Sequence, residues 1–226
     1  MFRRALLHRL AFMRRNRCSL LLAALCLFIL LNPLLSDAPT GSAVLVFWML
    51  ANLVLAVWAL RSRRLLPWAA VMFVIVAIEL ALDNLAGGSL ARLTFFATTA
   101  VYMAVVTIAL LVYVLDWHPI TTDKVFGAVS AYMLISFSFA SLFAFQQIVQ
   151  PGAFYVDPNT QPDGILNWHD LMYFSFTVLT STGFGEITPA TKMARSLIII
   201  EQVLGVMYVA FLIARLANLY GRKSNE

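Results

Sequence analysis

The sequence is short of charge. Asp, Glu, Lys and Arg make up only 12% of its 226 residues, against 62% that are apolar. Soluble domains run near a quarter charged. Too little charge is present to cover a water-facing surface, which excludes a soluble globular enzyme. Histidine is scarcer still, with His8, His118 and His169 the only three. No cluster has metal-site spacing, and no Ser/His/Asp set or Gly-rich phosphate loop occurs. No residue supports an enzyme, and no cofactor is expected. The two cysteines, Cys18 and Cys26, stand eight apart in one apolar run. On a helix that is roughly 12 Å along the axis, too far for a disulfide, so both read as packing residues. The lack of any Asn-x-Ser/Thr sequon fits a prokaryotic plasma membrane.

What charge there is sums to +5. It lies mostly between apolar blocks, the pattern of membrane-flanking charge rather than of a nucleic-acid surface. The blocks are Ser19–Leu35, Ala43–Leu60, Leu65–Leu82, Leu93–Leu115, Val125–Val149 and Met193–Ala217. A hydrocarbon core of about 30 Å needs about 20 helical residues, so each block is expected to span. The first is followed by Asn32, Pro33 and a polar turn without a small-x-small cleavage site, and reads as a span rather than a signal peptide. A further apolar segment, Trp168–Thr180, reaches only roughly 20 Å as a helix and cannot cross. It is expected to be re-entrant.

Arg3, Arg4, Arg9, Arg14, Arg15 and Arg17 crowd the first eighteen residues, Arg61, Arg63 and Arg64 follow the second block, and Arg222 and Lys223 follow the last. The alternate loops carry mainly Asp37, Asp83, Asp157, Asp163, Asp170 and Glu186. The positive-inside rule puts both termini in the cytoplasm. The division expected is a basic segment 1–18, four membrane helices over 19–120, a second part over 121–220 and a short tail 221–226. His118-Pro119 breaks the chain between the two helical parts. His118 there could sense pH, the plainer reading being an interfacial histidine. His169 is expected to bond locally.

The informative stretch is Tyr173–Pro189. Asn167 and Asp170 have capping-box spacing at the start of the short helix. Its carbonyl end would point to mid-membrane and favour a cation. Beyond Thr180 come Ser181, Thr182, Gly183, Phe184 and Gly185. Two glycines alternating with side-chain residues allow a backbone that alternates in handedness and turns successive carbonyls to one side. Non-helical backbone at membrane depth must be buried or line a watery path. A row of carbonyls without donors suits a dehydrated monovalent cation. The plainer alternative is a tight glycine turn that only packs.

The run Ser181-Thr182-Gly183-Phe184-Gly185-Glu186 resembles the T-V-G-Y-G-D signature of the tetrameric potassium-channel superfamily, and the likeness extends over roughly Val125–Leu219. It implies an all-α membrane protein: a four-helix sensor-like bundle, then an outer helix (125–149), pore helix (168–180), filter (181–185) and inner helix (193–217), assembled as a homotetramer. It implies K⁺ held by the carbonyls of Ser181, Thr182, Gly183 and Phe184, with the Ser181 hydroxyl as innermost ligand. Thr177, Phe174, Gly185 and Glu186 would support the filter. Phe184 replaces the usual Tyr, and Phe174 stands where many relatives have its Trp partner. Glu186 is longer than Asp, and Ser181 lacks a methyl of Thr. These departures keep the carbonyls and loosen their surroundings.

In the last span, Gly205 lies where the family often places a hinge glycine; a small residue at a helix crossing is the alternative. Glu201 either hydrogen-bonds the back of the pore helix or faces the permeation path. Glu79 and Asp83 read as a polar contact among helices. Relatives with six spans often carry Arg or Lys every third residue of the fourth helix, but Leu93–Leu115 has none, so steep voltage gating is not expected. The function expected is passive K⁺ conduction. The alternatives are a weakly selective cation channel, a pore-loop transporter subunit and a non-conducting membrane scaffold. The expected partners are further copies of the chain and the bilayer, with anionic lipid at the basic segment. No nucleotide, calcium or ligand domain follows the last span, which leaves room for a separate regulatory subunit.

Overall fold

The computed structural model describes residues 17–36, 51–52, 54–56, 58, 65–86, 89–116, 121–159, 161 and 163–223. Along the chain these form α1 (Arg17–Ser36), α2 (Leu65–Ala86), α3 (Ser89–Leu115), α4 (Thr122–Val149), β1 (Phe154–Val156), α5 (Trp168–Leu179), β2 (Ile187–Pro189) and α6 (Lys192–Lys223). Most of the expected basic segment 1–18 and of the expected span Ala43–Leu60 lies outside the described residues, as do His8 and His118.

In hydrocarbon every backbone donor must be satisfied within its own segment, which leaves the helix as the natural form for these apolar runs. Among the described residues, Arg17–Leu34, Arg92–Leu115, Thr122–Val149 and Lys192–Arg215 are long and apolar enough to cross a membrane. α2 covers the third expected span with a shorter apolar stretch, Ala70–Glu79. The chain is an all-α membrane protein. Three hydroxyls inside the spans are quenched locally: Thr107 donates to the Met103 carbonyl at 2.7 Å, Ser130 to Phe126 at 2.9 Å and Ser138 to Leu134 at 2.8 Å.

The chain forms two compact units, 1–138 and 139–226. The sequence suggested a divide near residue 120, but the first half of α4 packs with α1 and α3. Asp123 on α4 accepts from the Cys18 amide at 2.8 Å, capping α1, and from the Tyr113 hydroxyl at 3.2 Å. Phe28 meets Phe137 edge-on at 5.5 Å. Elsewhere in this unit Trp68 packs against Tyr102 at 5.5 Å, and Thr98 donates to Glu79 at 3.2 Å. Both cysteines are free; Cys18 is buried and Cys26 exposed.

The second unit is built on a cluster of three rings. Phe143 of α4 lies 5.2 Å from Phe154 of β1 and 5.5 Å from Phe174 of α5, and those two are 5.7 Å apart. β1 and β2 pair antiparallel, with Phe154 opposite Pro189 and Val156 opposite Ile187. The Asp157 amide extends the pairing to the Glu186 carbonyl, and the Ala190 amide to the Ala153 carbonyl, each at 2.8 Å. The segment leaving the glycine-rich run is thereby fixed to the segment leaving α4.

Candidate functional site

α5 begins where expected. The Asn167 amide donates to the Asp170 carboxylate at 2.8 Å, satisfying a donor at the helix entry. Its twelve residues reach only roughly 18 Å. His169 is half-buried, its Nδ1 4.0 Å from Asp170.

The end of α5 makes the site. The chain folds back and its amides go to the last carbonyls of the helix: Ser181 to Val178 at 2.9 Å, Thr182 to Thr177 at 2.8 Å and Gly183 to Thr177 at 3.3 Å. The first three amides of the run are thus consumed behind it. Among the described residues, no backbone hydrogen bond ends on the carbonyls of Ser181, Thr182, Gly183 or Phe184. The backbone alternates in hand, with positive φ at Ser181 (57°), Gly183 (57°) and Gly185 (94°). Gly183 and Gly185 take this conformation freely. Ser181 does so at a cost of about 1 kcal/mol, and its part in the alternation was not legible from the two glycines. Residues 180–185 are all exposed in the single chain.

The support behind the run differs in detail from expectation. Thr177 is buried, and it holds the run through its carbonyl, which accepts from both Thr182 and Gly183. Its hydroxyl turns to the Phe174 carbonyl at 2.8 Å. Phe174 is buried in the ring cluster. Phe184 instead stacks on Tyr173 at 6.3 Å with planes 9° apart. The Tyr173 hydroxyl donates to the Glu186 carboxylate, and this bond pushes the phenol from 10.0 up to about 12. It is therefore a donor throughout the physiological range. Tyr173 was missed in the sequence, where the available signal was a phenol among the apolar residues Leu171, Met172 and Phe174.

Glu201 on α6 is fully buried, and the Ser175 hydroxyl on the back of α5 donates to its Oε1. Of the two orientations open from sequence, the single chain adopts the one toward the pore helix. One turn further along, a Cβ on Gly205 would fall inside contact distance of the Leu179 carbonyl oxygen. α6 runs unbroken through Gly205 from Lys192 to Lys223. No group of three or more His, Cys, Asp or Glu that could hold a metal ion occurs among the described residues. The oxygens that this run presents are main-chain carbonyls together with the Ser181 hydroxyl, a hard-oxygen donor set.

Residues 126–222 match the family described as Ion channel. This segment of the chain is similar to ion channels. The matched part runs from α4 to the end of α6 and contains every residue of the site above. No curated protein and no solved structure gives a match. The spans set the protein in a lipid bilayer.

Proposed function

We propose that the channel conducts K⁺ selectively and passively, along an axis shared by four copies of the chain. One observation carries this: among the described residues no backbone hydrogen bond ends on the four successive carbonyls from Ser181 to Phe184, while the amides of Ser181, Thr182 and Gly183 are spent on α5. Such a row replaces the hydration shell of a monovalent cation. The Ser181 hydroxyl would add the innermost ligand. One row cannot surround an ion, so copies must close a ring. Burial within the chain supports this: 78% of the spanning window of α4 is buried, against 11% for α6. α6 is thus left to face other copies and lipid.

The charges of the sequence favour cytoplasmic termini in a prokaryotic plasma membrane, with anionic lipid at the basic amino-terminal segment. The uncharged fourth span favours gating that is not steeply voltage-dependent. A weakly selective cation channel is the second reading. It is favoured by Phe184, which is 68% exposed and has no hydroxyl to anchor it.

Purified protein in liposomes tests the proposal. Flux of K⁺ and Rb⁺ well above Na⁺ and Li⁺, blocked by Ba²⁺, is expected from a detergent-solubilised tetramer. Equal Na⁺ and K⁺ flux would promote the second reading, and a monomer without flux would refute both.

A further inference from the structure

The inner helix meets the pore helix at two points whose spacing matches. Ser175 and Leu179 are four residues apart on α5, and their partners Glu201 and Gly205 are four apart on α6. Residues four apart share a helix face about 6 Å apart along the axis. The two helices therefore run side by side in the same direction over one turn, joined by a polar contact and a backbone contact. Thr177, whose carbonyl holds the amides of Thr182 and Gly183, lies between Ser175 and Leu179 in the chain. Whatever fixes α5 at these two points also fixes the carbonyl on which the filter hangs.

The polar contact stands in the largely apolar spanning part of α6, Lys192–Arg215. Glu201 is fully buried, and among the described residues its Oε2 has no hydrogen-bond partner. A buried carboxyl group held by one hydrogen bond is costly for a contact that only packs, since an apolar side chain of similar size would avoid the desolvation. Its gain is direction. A hydrogen bond fixes the rotation and height of α5 against α6 in a way that an apolar contact does not.

We propose that Glu201 is a positioning residue for the selectivity filter, acting through Ser175 to hold the pore helix, and thus the Thr177 carbonyl, in register with the inner helix. This rests on the reading of Ser181–Gly185 as an ion filter. Loss of the bond would remove the one hydrogen bond that ties the Glu201 carboxyl to α5 and let α5 turn, carrying the filter out of its conducting shape.

The test is single-channel recording and K⁺/Na⁺ permeability in planar bilayers, with the tetramer checked by mass for every protein. Wild type comes first: absence of K⁺-selective current there would sink the filter reading itself. With wild type conducting, Glu201→Gln keeps an acceptor of the same length and should preserve open times and permeability ratio. Glu201→Leu and Ser175→Ala should each shift the conducting equilibrium of the filter by about tenfold, the factor for about 1.4 kcal/mol. The pair together should cost no more than one alone. Ser175→Ala removes only a hydroxyl, so it keeps the test open if Glu201→Leu does not assemble. Wild-type open times and selectivity in Ser175→Ala would overturn the proposal. So would a Glu201→Gln channel as altered as the leucine variant, or full additivity of the pair.

Discussion

Ser181 and Gly183 share a φ of 57°, yet only one of them has a side chain that resists it. An alanine at Gly183 would meet no atom within 4 Å in the single chain, so its penalty is conformational: about 1 kcal/mol for each copy, pulling the residue out of the left-handed region. Gly183→Ala should therefore assemble but lose selective flux, read as a K⁺/Na⁺ flux ratio falling toward one; an unchanged ratio would count against the filter assignment. The motif Ser181–Glu186 is legible because glycines at alternate positions announce the backbone they permit. Tyr173, Ser175 and the carbonyl of Thr177 are not legible in the same way. Their roles depend on which neighbour each meets when α5 is packed, and a twelve-residue helix does not name its partners in α6 or in the returning chain.

Among the elements, the spanning helices follow from length and apolarity alone, and their ends fall close to the expected ones: α4 begins at Thr122 rather than Val125, and α6 continues to Lys223 rather than stopping at Ala217. β1 and β2 were not foreseen, since three residues are too few to show an alternation. The crossing of α5 and α6 gives a prediction whose sign separates two roles for Gly205. In an ordinary helix interior Gly→Ala stabilises by about 1 kcal/mol. Here the added methyl would collide with the Leu179 carbonyl, so Gly205→Ala should lower the thermal midpoint of the detergent-solubilised protein. A raised midpoint with slowed gating would instead assign Gly205 to bending.

At the scale of the whole molecule, the first unit offers little for the membrane field to act on. Steep voltage dependence needs several charges per chain to move, each worth about 2.3 kcal/mol per 100 mV, and α3 carries none from Leu93 to Leu115. Glu79, bonded to Thr98, could supply a fraction of one at most. Open probability in symmetric K⁺ should vary shallowly from about −100 to +100 mV. A steep sigmoid weakened by Glu79→Gln would show that these helices sense voltage after all. The role of the unit was the least legible part of the sequence. Its long-range ties, such as Asp123 to the amide of Cys18, join residues too distant in the chain for any local pattern to pair them.

The pairing of Phe154 with Pro189 makes the pore segment a loop closed at its own base. The entropy of closing a loop grows only logarithmically with its length, about 0.6 kcal/mol for each doubling. The stretch between β1 and α5 can therefore lengthen or shorten at little cost, because the pairing rather than its contour length sets where the filter hangs. Changes in the length of this stretch are in this way uncoupled from the position of the glycine-rich run on the far side of α5.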